Sequence, residues 1–337
     1  MRDGGTFMKR NSSFLAFLAL ALALLFDASA GPKETALAWL AEQHDYLNDV
    51  SETLWAMPEP AHAEHRTSTY IQNELERAGF EIESGVASLP TAFVASYGSG
   101  PPVIGIVALL DALPGLSQEK LVTERRPTSP GGAGHGCGHN LIGAADLGAV
   151  LAVKQAIDDH SLPGTVRFFG APAEEIYHGG VYMARDGVFD DVDALLFWHS
   201  SAVTTVITRS GLAMDSIRFV FHGLASDATD AAAKGINALA TAYQLSTAAE
   251  REKALWPEDA VLNHVLVEGG TIPSIVPERA VLWFFLHARD RGGAHLARAS
   301  PRAGGRDRAK NEDARRDADL IVDPSLAHQQ EHRRATA

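Results

Sequence analysis

Cysteine is nearly absent from this chain. Cys137 is the only one among 337 residues, so no internal disulfide can form, and a lone thiol that persists is one that is ligated, buried or reactive. Positive charge is also scarce: 29 Lys and Arg face 42 Asp and Glu, a formal net charge of -13. That balance excludes a nucleic-acid reader, because phosphate binding rests on clustered Lys and Arg that release counterions. The apolar run at residues 14–26 falls short of the roughly 20 residues needed to span a bilayer. No internal repeat is present, and neither Ser210 nor the Asp-Ser pairs form a triad pattern.

What the N-terminus does have is a basic start at Met8-Lys9-Arg10, that short apolar run, and the small-x-small sequence Ala28-Ser29-Ala30. These are the three parts of a secretory signal peptide, so residues 1–30 are expected to be cleaved after Ala30 and the protein exported, periplasmic or secreted. Met8 is an alternative start. A 46% hydrophobic share suffices for a sizeable core, and the length points to two domains.

Apolar positions Leu37, Leu40, Ala41, Leu47, Val50 and Leu54 recur at helical spacing, as do those of residues 67–78 before Gly79. Two helices are therefore expected to open the mature chain. Short apolar stretches at 92–97, 103–110, 165–170 and 194–198 read as strands, with a helix over 142–157 among them, which predicts an α/β domain with a largely buried sheet over residues 31–210. A second domain, α+β, is expected over 211–290: a strand through Ile217, Phe219 and Phe221, a helix over 234–250, and strands near 261–268 and 279–287. Residues 291–337 turn to Arg, Ala, Gly and His with almost no aliphatic periodicity until Leu320-Ile321-Val322. They read as an atypical, mostly disordered tail.

The chemistry gathers in three places. In Gly134-His135-Gly136-Cys137-Gly138-His139-Asn140, Cys137 and His139 lie two apart among glycines that leave room for a metal, and an extended backbone would point both side chains the same way. By itself this spacing is a weak signal. Gly170-Ala171-Pro172-Ala173-Glu174-Glu175 follows an apolar strand, and adjacent carboxylates suit a division in which one binds metal and the other takes a proton from water. Viewed alone, the pair reads equally well as solvated loop charges. Trp198-His199 ends another apolar strand, and residues at the carboxyl edge of an α/β sheet converge on one crevice. His44, His62 and His65 read as surface residues, His178, close after Glu175, equally as a cleft-lining or a loop residue, and Trp39, Trp55 and Trp256 as core or interface aromatics.

The combination resembles the amidohydrolase branch of the aminoacylase and glutamate-carboxypeptidase metallopeptidases, most closely its aminobenzoyl-glutamate utilisation protein B group. The motifs that carry it are Thr91-Ala92-Phe93-Val94-Ala95, Asp111-Ala112-Leu113-Pro114-Gly115-Leu116-Ser117-Gln118, the Gly134–Asn140 segment, Gly164-Thr165-Val166-Arg167-Phe168 leading into Pro172-Ala173-Glu174-Glu175, Met183-Ala184-Arg185-Asp186-Gly187, and Trp198-His199. They span roughly residues 34–290.

The resemblance implies a three-layer, zinc-peptidase-like catalytic domain with an inserted α+β lid and dimerisation domain, and hydrolysis of an amide bond in an N-acyl amino acid or dipeptide-like substrate. It implies Cys137, His139, Glu175 and His199 as metal ligands, Glu174 as general base and Asp111 as an acid supporting a ligand. One or two divalent ions are implied; thiolate and imidazole favour zinc, while the carboxylates admit manganese. A homodimer through the lid is a further implication.

Four departures from that pattern stand out: Asp227 where a His is usual, Ser274 for Asn, His287 near a frequent Arg, and Leu109 at an often polar position. An anionic Asp227 cannot donate to a developing oxyanion. The return of the chain to complete the catalytic sheet, with a last metal-binding His, is not recognisable around His295, His328 or His332. This is the expectation for a C-terminally truncated or frame-shifted relative. Two other readings compete: a cysteine hydrolase with Cys137 as nucleophile and His135 or His139 as base, and an inactive paralogue that binds metal or only dimerises.

Overall fold

The computed structural model describes residues 30–208, 210–230 and 234–289, and the backbone of 318–322. Residues 1–29 of the expected leader, and His295, His328 and His332, lie outside the described residues. The chain divides into two compact units, one ending at Ala202 and the other starting at Val203.

The first unit opens with helices α1 (Pro32–Glu42), α2 (His44–Trp55) and α3 (His65–Arg77). Where one helix was expected over the first apolar repeat there are two, broken at Gln43, and only α2 buries residues completely, at Val50 and Leu54. The repeat runs through the break in phase, which is why the spacing alone does not reveal it.

Strands β1 (Glu81–Ser84), β2 (Phe93–Ser99) and β3 (Val103–Leu109), helix α4 (His139–His160), strand β4 (Gly164–Ala171), the short helices α5 (Glu174–Tyr177) and α6 (Gly179–Arg185), and strand β5 (Ala194–Leu196) complete it. The sheet order is β1-β2-β4-β3-β5. β3, β4 and β5 run parallel, while β1 and β2 are antiparallel to their neighbours. The near-continuous apolar sequences of β3 and β4 suit central strands covered on both sides.

Phe93, Phe168 and Phe169 are fully buried, the first two stacked at 5.6 Å between ring centroids. Each such ring contributes about 2–3 kcal/mol by burial. The expectation of a buried sheet fails at β5, where Leu195 and Leu196 are 44% and 57% exposed. Among the described residues β5 pairs only with β3, so it is an edge.

The second unit is a four-stranded antiparallel sheet in the order β7-β8-β6-β9. It comprises β6 (Ala213–His222), helix α7 (Ala238–Glu252), β7 (Val261–Glu268), β8 (Arg279–Ala288) and β9 (Ala318–Val322). The Asn237 side chain caps α7 by accepting from the Ala240 amide at 3.0 Å. Ala238 and Ala242 of α7 pack with Ile217, Leu282, Phe284 and Leu286 of the sheet. Of the tail, only the backbone of β9 is described, and it pairs with β6.

Candidate metal centre

Parallel strands that share a sheet end on the same edge, and here β3, β4 and β5 deliver Asp111, Glu174-Glu175 and Trp198-His199 just past their last residues. Helix α4 begins at His139, so its first residue arrives at that edge too. The segment before it is not extended. Gly138 takes a left-handed conformation (φ +82°), which a residue with a side chain rarely adopts. This turn, rather than strand alternation, brings Cys137 and His139 to one place. At Gly134 a Cβ would stand 1.9 Å from the Leu116 carbonyl oxygen, so the segment can pass Leu116 only as glycine.

His139 is 2% exposed. Its Nδ1 donates to the Asp111 main-chain carbonyl at 2.8 Å and lies 3.3 Å from Asp111 Oδ1. With the proton held there, Nε2 presents its lone pair to Glu174 Oε2 at 3.8 Å and Glu175 Oε1 at 3.9 Å. On the other side, Cys137 Sγ meets His199 Nε2 at 3.2 Å, while His199 Nδ1 faces the Ser200 carbonyl at 3.1 Å. Two ligand sets result, Cys137/His139/His199 and His139/Glu174/Glu175, each with its donor atoms within 4.8 Å of one another and both including His139.

The buried polar atoms test whether a cation belongs here. His139 Nε2, Glu175 Oε1 and Asp111 Oδ1 are buried and lack any hydrogen-bond partner. Leaving such groups unsatisfied costs about 1–3 kcal/mol each, more when charged. A cation among two imidazoles, a thiol and two carboxylates would satisfy the first two atoms directly, and the residues present fit a divalent metal.

The electrostatics of the cluster agree. Burial, then Glu175 and Glu174, push the Cys137 thiol up to about 12. Glu174 is raised by burial and by Glu175, against the pull of His139. Burial opposes the charged form of His139, but Asp111 outweighs it and its pKa stands above the usual value. The side chains concentrate acceptors that a local positive charge would stabilise.

Every residue expected at the site is therefore brought together: Asp111, Cys137, His139, Glu174, Glu175 and His199. Asp111 holds the arrangement from below, its Oδ2 accepting from the Glu175 amide at 3.0 Å. His135 is not with Cys137; its Nε2 lies 3.0 Å from the Leu54 carbonyl, and burial lowers its pKa to about 4. His44, His62 and His65 are exposed as expected, while His178 lines the centre, its Nδ1 3.9 Å from Glu174 Oε1.

Two supporting acids were not foreseen. Asp146, on α4, accepts from Trp198 Nε1 at 2.7 Å, and Glu64 accepts from the Ala173 amide at 2.8 Å. Asp146 left a signal, an acid within the apolar face of a helix; Glu64 left none. Asp227 lies in the second unit, exposed, its carboxylate taken up by the amide and hydroxyl of Thr229 at 2.8 and 2.6 Å.

Residues 108–305 match the model of peptidase family M20/M25/M40. The chain belongs to that family. It is 36% identical over 241 residues to one of the subunits of the p-aminobenzoyl-glutamate hydrolase of Escherichia coli strain K12, an alignment covering 71% of this chain and 50% of that protein. The chain spans about half the length of the curated relatives it matches. Among solved structures, an aminobenzoyl-glutamate utilization protein from Klebsiella pneumoniae superposes with a TM-score of 0.60 at 18% identity, covering 85% of this chain and 76% of that one. A Bacillus subtilis dinuclear metal-binding peptidase of the M20 family superposes with a TM-score of 0.53 at 23% identity, covering 84% and 74%. The fold is thus the M20 α/β fold, with a mixed sheet and helices, as the motifs implied.

Proposed function

We propose that this M20-family chain is a metal-dependent amidohydrolase acting on an N-acyl amino acid or dipeptide-like substrate, with aminobenzoyl-glutamate the first to try. The observation that carries the reading is the pair of buried, unpartnered atoms His139 Nε2 and Glu175 Oε1 facing each other across 3.9 Å. The similarity to the aminobenzoyl-glutamate hydrolase of Escherichia coli supports the substrate class.

Cys137, His139, Glu175 and His199 would hold the metal, with Asp111 fixing the ring of His139 through Nδ1. A divalent cation held there would supply Lewis acidity and lower the pKa of water toward neutrality. Glu174, whose pKa is raised by burial and by Glu175, would take the proton of the attacking water and return it to the leaving amine. His178 beside it adds a polar wall to the cleft. Thiol and imidazole donors favour zinc, and the carboxylates leave manganese as the second choice.

Export through the leader and pairing of two copies through the second unit belong to the same proposal. The competing reading is a metal-binding chain without turnover, favoured by Asp227, whose carboxylate stands where the resemblance implies an oxyanion donor. The test is hydrolysis of aminobenzoyl-glutamate and of N-acyl amino acids by chelator-treated protein reloaded with zinc or manganese. Metal-dependent release of the amine supports hydrolysis. Stoichiometric metal uptake without release on any of them decides for the competitor.

A further inference from the structure

Glu64 is completely buried and lies in the turn that opens α3, well removed in sequence from every group at the centre. Its Oε1 accepts from the Ala173 amide at 2.8 Å, and its Oε2 lies 3.2 Å from the Thr91 hydroxyl. Thr91 is itself tied to α3, its carbonyl accepting from Ser68 Oγ at 2.8 Å. Ala173 is left-handed (φ 56°, ψ 34°), a conformation unfavourable for a residue with a Cβ unless its surroundings hold it there. It immediately precedes Glu174 and Glu175. The turn is thus gripped at both ends by buried carboxylates: Glu64 on the Ala173 amide and Asp111 on the Glu175 amide.

We infer that Glu64 is a positioning residue for the metal centre: by accepting the Ala173 amide it holds that residue left-handed and so sets where Glu174 and Glu175 point. The inference rests on the metal reading of the site. A relaxed Ala173 would swing the next two carboxylates away from His139 together, since one backbone rotation precedes both. Glu64 does not touch the metal position; it acts through the turn, as outer partners of metal ligands do. Glu59 provides the contrast. Its buried carboxylate also braces α3, accepting from the Thr67 amide at 2.9 Å and from Arg66 Nε at 3.0 Å, but its side chain makes no bond to the 172–175 turn.

The test is calorimetric titration of chelator-treated protein with zinc chloride alone, on the wild type, Glu64→Ala, Glu64→Gln and Glu59→Ala, with the urea midpoint of each measured metal-free. Glu64→Ala is expected to weaken zinc binding about 10- to 100-fold, and Glu64→Gln, which keeps an oxygen for Ala173, to stay within about threefold of the wild type. Glu59→Ala lowers the urea midpoint and leaves zinc affinity alone. If Glu64→Ala does not fold, Glu64→Asp replaces it, its acceptor drawn back by one methylene, with an expected loss of about fivefold or more. Undiminished zinc affinity in the folded Glu64 variant overturns the inference, and so does an equal loss in Glu59→Ala. A wild type that takes up no zinc is a failure of the metal reading itself, visible before any substitution is made.

Discussion

The imidazole of His139 and the carboxylate of Glu175 face each other at 3.9 Å, and neither facing atom has a hydrogen-bond partner. Each is nevertheless fixed from behind by the same residue: the Asp111 carbonyl takes His139 Nδ1–H, and the Asp111 carboxylate takes the Glu175 amide. A residue that orients two groups toward a common point prepares them for a third partner, and a divalent cation satisfies both lone pairs at once.

Glu174 and Glu175 are adjacent but not equivalent. Only Glu175 has a buried, unpartnered oxygen, whereas the Glu174 side chain is 35% exposed and lies 3.9 Å from His178. Glu174→Gln is therefore expected to lower kcat on a hydrolysed substrate by about 10²- to 10⁴-fold while zinc affinity stays within about tenfold. Steady-state kinetics and calorimetry on the same preparation check it. Equal losses in both would make Glu174 mainly a ligand.

Asp146 gives a pH dependence with a defined sign. Burial, only partly offset by the Trp198 indole, raises its pKa from 3.8 to about 7. The unfolded chain ionises this group near pH 4 while the folded protein resists until about 7, so stability is greatest below pH 4 with respect to this group and is lost as pH rises toward 7. The full cost is on the order of 4 kcal/mol. Asp146→Asn keeps an acceptor for Trp198 Nε1 and removes the charge. Its urea midpoint at pH 8 should exceed that of the metal-free wild type, and the advantage should shrink toward pH 4.5.

Much of the site was legible because its parts sit at the ends of apolar runs. β3, β4 and β5 read as strands of one sheet, and strands running together bring Asp111, Glu174-Glu175 and His199 to one edge. The order of motifs added the identity of the family. What could not be read was held by long-range pairing. Nothing near Glu64 in the sequence points to Ala173, and the break at Gln43 leaves the apolar repeat in phase. β1 is a largely polar edge strand, Glu81-Ile82-Glu83-Ser84, whose single apolar residue makes no hydrophobic run. An extended segment would also point Cys137 and His139 the same way, but it is the left-handed Gly138 that joins them.

Cys137 offers a direct test of the cysteine-nucleophile alternative. With its thiol pushed up to about 12 by burial and the neighbouring carboxylates, the metal-free folded protein should react with iodoacetamide at pH 7 at least about 100-fold more slowly than the urea-unfolded chain, since the thiolate is the reacting form. Mass spectrometry of the labelled Cys137 peptide over time reads this out. Fast labelling of the folded protein would restore the thiol as a nucleophile.

The central claim is that these side chains form a metal centre around His139, and the most direct measurement is zinc titration of chelator-treated wild-type protein beside His139→Ala. The wild type should bind zinc stoichiometrically, and the variant, which removes the one residue common to both ligand sets, should lose affinity by at least about 100-fold while its metal-free fold persists. Equal zinc binding by the two proteins, or none by the wild type, would contradict the account.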